Sequence, residues 1–437
     1  MRRYRRGVFS WCLYDWANSA FILTVVTGFF PFFFKSYYCG AGAGVVQTTA
    51  RLGVANTIAG LTIAVLSLVL GVLADFWAGK KRLLSVFLLM GVVCTASLFL
   101  VSQGAWFAAL ALFILGNIGF SCANLFYDSL LVDVADGGEM DFVSSMGFAF
   151  GYIGGVILFA FCMWMTVSPQ TFGLADMAAA VKFSFLCVAV WWAVFSIPLL
   201  LFVREKRLKT PFRSVNAAFG VVNAVMLLGA IGKTFVAIIR KPALLLFLCA
   251  YWLYFDGVNT FIRMAVDFGL SIGFGYDALM AALIAVQVIA FPSSLLFGYL
   301  ARRAGTMRMI AAGVAIYILI SGFGALFMRT ETHFIILAGA SGIAQGGIQA
   351  LSRSYFGKMI PAEEAAEYFG FYNVAGRFAV IGPTVVGLVG LAARGLGSQE
   401  ALASRIGMSS VNIFFIAGLI FLYWAEKARK RSVGGNL

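Results

Sequence analysis

The sequence predicts an all-α membrane protein of twelve transmembrane helices in two six-helix halves, with both termini cytoplasmic. Three observations carry this expectation. The chain is 62% hydrophobic and 11% charged, with a mean hydropathy of +0.95, whereas a soluble domain is about 45–50% apolar and about 25% charged. Its apolar residues gather into twelve stretches long enough to cross a bilayer. Polar residues inside the first stretch recur, in the same order, inside the seventh. No single core could bury so much apolar surface, which excludes a soluble globular enzyme, a disordered chain and a nucleic-acid-binding module.

A spanning helix needs about 20 mostly apolar residues. The stretches lie near 8–34, 52–76, 83–102, 106–132, 142–167 and 181–203, then 242–267, 277–300, 308–328, 333–356, 367–392 and 406–425. They are numbered here as spans 1 to 12. Arg2, Arg3, Arg5 and Arg6 before span 1, and Ala41-Gly42-Ala43 after it, outline something like a secretory signal. A signal's apolar core is only about 7–15 residues long; this run continues from Val8 to Phe34 and carries Asp15 and Asn18, so an uncleaved first span is expected.

Orientation follows the basic residues, which collect on the cytoplasmic side. With the amino terminus inside, 24 of the 32 Lys and Arg residues fall in inner segments and six in outer ones; Arg263 and Arg377 lie within spans. This sidedness accounts for the net charge of +14. The stretch 214–239 is apolar enough to be a further span, but that would invert everything after it, so it reads as an interfacial helix in a linker over 204–241. The expected domains are therefore 1–203, this linker, and 242–437 with its basic tail. The seven cysteines show no CxxC spacing, and His333 is the single histidine, so no disulfide framework, metal site or cofactor is expected.

The halves repeat. Asp15, Asn18, Ser19 and Phe21 of span 1 correspond to Asp256, Asn259, Thr260 and Phe261 of span 7, the first three displaced by 241 residues. Span 2 ends Ser67-Leu68-Val69-Leu70-Gly71-Val72-Leu73-Ala74, and span 8 ends Ser294-Leu295-Leu296-Phe297-Gly298-Tyr299-Leu300-Ala301. Two parallel six-helix repeats are the architecture of the major facilitator superfamily. The junction Gly71-Val72-Leu73-Ala74-Asp75-Phe76-Trp77-Ala78-Gly79-Lys80-Lys81-Arg82 resembles that superfamily's loop 2–3 signature, with one extra residue between Asp75 and Gly79. There the Asp can meet a neighbouring helix amino terminus, where the dipole favours negative charge. The second-half copy carries Arg302 where an Asp is usual, which puts an Asp latch at that loop in question.

At finer grain the chain resembles the vacuole-effluxer-like ("unknown major facilitator") branch. The motifs that carry the resemblance are 10–21, Gly147 to Gly155, Trp191-Trp192 with Phe195, Ser196 and Pro198, 250–260, Gln287 to Pro292, and Gln345 to Ser354. Asp128 departs from the Asn of the family pattern, and Val132 from a nearby Pro. The resemblance implies the major facilitator fold; because members of the branch differ in cargo, it implies neutral amino acids only as the first expectation.

An ionisable group within a span costs roughly 2.5–3.5 kcal/mol on insertion scales and is by default a functional hypothesis. Asp15, Asp128, Asp256, Arg263 and Arg377 qualify. Trp11, Asp15, Asn18, Ser19 and Ile22 share one helical face, expected to line a central cavity, with a helix–helix hydrogen bond as the alternative. Span 7 carries the matching stripe of Asp256, Asn259, Thr260, Arg263 and Asp267. For an amino acid, Asp15 or Asp256 would take the ammonium and Arg263 or Arg377 the carboxylate; an Asp256–Arg263 ion pair is an equal alternative. Gln345 and Gln349 place amides on span 10 as further binding candidates. Asp75, Lys80, Lys81, Asp128 and Arg353 are gate candidates, and Asp133 at the membrane edge reads as solvated. Gly147, Gly151 and Gly155 allow close helix approach.

The chain is thus expected to be a secondary transporter with alternating access, located in a bacterial inner cell membrane. It would move a small polar organic solute, neutral amino acids first, by efflux or exchange down a proton or solute gradient, acting as a monomer. Facilitated diffusion without a coupling ion stays open. A sugar or peptidoglycan-fragment permease is the alternative within the fold, and a non-transporting receptor or scaffold the alternative outside it. The expected partners are the small-molecule substrate, protons and the lipid bilayer, with no nucleic acid.

Overall fold

In the computed structural model, which describes residues 2–40, 44–205, 224–271, 276–327, 330–377 and 381–434, helices account for nearly the whole described chain. Twelve of them, among the described residues, are long and apolar enough to cross a membrane. They run Tyr4–Tyr38, Gln47–Phe76, Lys80–Leu100, Trp106–Val134, Met140–Val167 and Met177–Phe202, then Pro242–Ile262, Ala281–Ala304, Thr306–Gly324, Glu331–Met359, Ala362–Gly395 and Leu402–Arg431. Each coincides with a predicted span. Several extend past its edges, because a helix continues into the headgroup region after hydropathy has fallen.

In the linker, residues 206–223 lie outside the described residues, and Ala224–Ile239 forms a helix of 16 residues. At 1.5 Å per residue it is about 24 Å long, short of the ~20 residues a crossing needs.

The chain forms two compact units. One comprises Met1–Asp136, Phe150–Leu227 and Pro361–Gly370; the other comprises Gly137–Ala149, Leu228–Ile360 and Phe371–Leu437. Each unit is one six-span half with a short piece of the other. The first residues of span 11 pack in the first unit, and the first residues of span 5 pack in the second. This exchange does not follow the sequence boundary at the linker. It brings Asp75 of span 2 to the start of span 11, and Asp141 of span 5 to the end of span 10.

The first unit is cored by aromatic rings. Trp192 is fully buried, with Phe21 at 5.3 Å and Phe120 at 6.0 Å between ring centroids, while Phe30 stacks on Phe113 at 4.0 Å. Span 1 meets span 5 at Gly151, where an added Cβ would lie 2.5 Å from Ser19 Oγ. In the second unit the backbones of spans 8 and 10 come close, and a Cβ on Gly346 would sit 2.7 Å from the Ala290 carbonyl. Outward, Val65, Leu89, Val190, Leu319 and Leu388 are each more than half exposed. Lipid tolerates such a surface, and water would penalise it at about 25 cal/mol per Å².

Candidate functional site

In the first unit the polar face of span 1 is taken up by span 4. Trp11 Nε1 donates to the Tyr127 carbonyl at 3.0 Å, the Tyr127 hydroxyl donates to Asp15 Oδ2 at 2.7 Å, and Asn18 Nδ2 donates to Asn124 Oδ1 at 2.6 Å. The i, i+4, i+7 spacing of Trp11, Asp15 and Asn18 aligns them with Asn124 and Tyr127, which are one turn apart on the facing helix. The Trp11 and Tyr127 rings stack at 4.4 Å. Asp15 and Asn18 are both buried, and Ser19 is half-buried against Gly151. Asp15 is therefore held by a hydrogen bond donated across a helix interface.

The corresponding position in the second unit has a different partner. Asp256 is buried and accepts the Gly382 backbone N–H on Oδ2 at 3.0 Å and the Thr260 hydroxyl on Oδ1 at 3.4 Å. The contact joins span 7 to span 11 beside Pro383. Gly382 leaves the room for it, since an added Cβ would collide with Thr260 Oγ1 and come 3.0 Å from Asp256 Oδ1. Asn259 donates to the Phe255 carbonyl of its own helix at 3.0 Å. On spans 8 and 10, Gln287 Oε1 and Gln345 Oε1 are buried and accept no hydrogen bond among the described residues; Gln349 is half-buried. The side chains of Arg263, Asp267 and Arg377 lie outside the described residues.

The gate candidates form two networks. In the first unit Asp75 accepts the backbone N–H groups of Ala366 at 3.3 Å and Glu367 at 2.8 Å, the second and third residues of the helix Ala365–Arg377. A carboxylate from span 2 thus caps a helix amino terminus in span 11, satisfying donors that the helix itself leaves orphaned. The extra residue after Asp75 is absorbed by a π-helical turn over Ala74–Ala78, which holds more residues per turn than an α-helix. Gly79 follows at φ +75, a conformation that favours glycine, and Glu205 accepts the Lys80 and Lys81 backbone N–H groups at 3.0 and 2.9 Å. Lys80 Nζ pairs with Asp133 at 2.9 Å, and Lys81 Nζ donates to the Val203 carbonyl at 2.8 Å. The expectation of a solvated Asp133 is corrected, because its carboxylate is buried as the counter-charge that a buried Lys80 requires. Asp128 is half-buried one residue before the end of the helix Trp106–Ser129.

In the second unit the acid comes from elsewhere. Arg302, at the Asp position of the repeat, stacks over Phe142 at 4.9 Å. The carboxylate is instead Asp141, in the first turn of Met140–Val167. It pairs with Lys358 at 2.6 Å and accepts from Thr306 at 2.8 Å and Ser354 at 2.7 Å. Arg353 is buried, donating from Nε to Ser144 Oγ at 2.9 Å and from Nη2 to the Ser144 carbonyl at 3.0 Å, with its guanidinium 4.3 Å from the Phe148 ring centroid.

Of the residues singled out in the sequence, Asp15, Asn18, Asp75, Lys80, Asp256 and Arg353 are thus engaged in contacts between helices, and the partners they meet or that lie beside them, Asn124, Tyr127, Asp141, Ser144, Glu205 and Gly382, were not singled out. Asp141 was the most accessible of these, as an acid at the first turn of a span, where the dipole favours it. The others act through contacts between distant segments and leave no local pattern.

The whole fold matches solved transporters of low sequence identity. The proton:xylose symporter XylE gives a TM-score of 0.69 at 12% identity, over 96% of this chain and 94% of that one. The outward-conformation transporter FucP gives 0.64 at 14%, over 97% and 98%. The architecture is that of a major facilitator superfamily transporter, a multi-pass integral membrane protein and not an enzyme. Within that class the chain belongs to the family described as vacuole effluxer Atg22 like, whose pattern matches residues 3–138 and 133–434. The MFS-type transporter YxiO of Bacillus subtilis is 37% identical over 437 residues, 99% of this chain and 98% of that protein. Autophagy-related protein 22-2 of Aspergillus clavatus is 27% identical over 305 residues, 64% of this chain but 46% of that longer protein.

Proposed function

We propose that the protein is an alternating-access secondary transporter, acting as a monomer in a bacterial inner membrane with both termini cytoplasmic. It exports or exchanges a small polar organic solute, neutral amino acids first, driven by a proton or solute gradient. The observation that carries this reading is the pair of buried carboxylates at matching positions, Asp15 in span 1 and Asp256 in span 7, each engaged across a helix interface. A carboxylate within a span is costly and by default marks function, and here that cost recurs at the same place in each half. The family description as effluxers supports export. Gln287 Oε1 and Gln345 Oε1 add buried acceptors that want donors, and an unmet buried acceptor costs about 1–3 kcal/mol. An ammonium group would satisfy them.

The same amides suit sugar hydroxyls, so a sugar or peptidoglycan-fragment permease is the second reading. The test is flux of labelled neutral amino acids in proteoliposomes with and without an imposed pH gradient, alongside Asp256→Asn. Gradient-stimulated flux that the variant loses supports the proposal. Absence of any amino-acid flux from well-folded protein, with flux of a labelled sugar, overturns the cargo in favour of the second reading.

A further inference from the structure

We infer that the second unit carries a binding site for an anionic phosphate group, and that its occupant is the headgroup of an acidic phospholipid. A cavity of about 860 Å³ opens where the Ala224–Ile239 helix passes into span 7, between the start of span 9 and the ends of spans 10 and 12. Six basic side chains line it, Arg240, Lys241, Arg308, Lys358, Arg429 and Lys430, against a single carboxylate, Glu426.

That carboxylate is already engaged by Arg429, at 3.1 Å from both Nε and Nη2, and by Lys430 at 3.9 Å. Lys358 is held by Asp141. Arg240, Lys241 and Arg308 make no ion pair among the described residues, so three cations converge on the cavity without a counter-charge.

Two further features ask for an anion. The helices Pro242–Ser271 and Thr306–Phe327 both begin at the cavity wall and bring their positive dipole ends to it. Tyr355, 5% exposed, lines the same space, and its buried hydroxyl has no hydrogen-bond partner among the described residues. A phosphate diester offers the charge and the acceptor oxygens that all these donors lack.

A lipid source is favoured over a soluble one by what adjoins the site. Tyr423 and Trp424 are exposed within a turn of Glu426, and amphipathic aromatic rings of this kind sit at the headgroup level of a bilayer. Basic pockets between helices at that depth suit acidic headgroups.

The test is native mass spectrometry of the full chain, with phosphatidylglycerol or phosphatidylcholine added, for the wild type, a triple variant Arg240→Gln, Lys241→Gln, Arg308→Gln, and Tyr355→Phe. Circular dichroism and melting temperature control for folding. A second arm titrates inorganic phosphate in competition. The expected result is selective retention of phosphatidylglycerol, weakened about fivefold per neutralised cation and less by Tyr355→Phe, with millimolar phosphate unable to displace it. Equal retention of the two lipids, or a folded triple variant that keeps full selectivity, overturns the site. Displacement by phosphate with no lipid selectivity overturns the lipid as its occupant.

Discussion

Asp75→Ala removes the carboxylate that caps span 11 from span 2. Wild-type Asp75 is buried and reaches the Ala366 and Glu367 amides at 3.3 and 2.8 Å. An N-cap contributes about 0.5–2 kcal/mol, and a charge at a partly buried helix terminus up to ~2 kcal/mol. The same helix start is pressed against Gly71, where a Cβ would come 2.6 Å from the Ala366 carbonyl, so no water can readily replace the lost acceptor. Together these give about 2 kcal/mol, and at ~1.4 kcal/mol per tenfold the segment should open about 30-fold more often. Hydrogen–deuterium exchange over residues 361–372 reads this directly. Exchange there should accelerate about 30-fold in Asp75→Ala, by less in Asp75→Asn, which keeps one acceptor oxygen, and not at all in span 12. Unchanged exchange in the alanine variant would refute the capping role.

Tyr127→Phe deletes the donor to Asp15 at 2.7 Å; it should lower stability by about 1.5–3 kcal/mol, as a bond to a charged group does, measured as a drop in melting temperature in detergent. Gly382→Ala places a methyl group on Thr260 and Asp256 and should cost about 1–3 kcal/mol; adding Thr260→Ala should recover part of it, a coupling that a double-mutant cycle measures. Asp141→Asn leaves Lys358 without its partner at 2.6 Å, and the loss should exceed that of the paired change Asp141→Asn with Lys358→Met, because a stranded charge costs more than an absent pair.

The twelve spans were legible because a membrane forces each one into a long apolar run, and that pattern is local. Asp15 and Asp256 were legible too, as costly charges repeated at the same place in both halves. What they touch was not. Asn18 meets Asn124 and Asp256 meets Gly382 across 106 and 126 residues, and no spacing along one helix encodes such a meeting. The second loop shows the limit most clearly. Arg302 at the repeat's Asp position put a latch there in question, and it lies over Phe142 instead, while the acid of the second unit's network, Asp141 of span 5, engages the side chains of Lys358, Thr306 and Ser354 and, among the described residues, caps no helix. Likewise, Pro361–Gly370 packs with the first half although it lies far into the second.

The central claim, that this chain is a carrier working on a small polar solute, is tested most directly by counterflow. Proteoliposomes loaded with an unlabelled neutral amino acid should draw in the labelled form transiently above its equilibrium level, because a carrier whose site faces one side at a time exchanges faster than it moves net solute. Label that enters only to equilibrium regardless of the internal pool, or does not enter with any solute tested, would contradict the account.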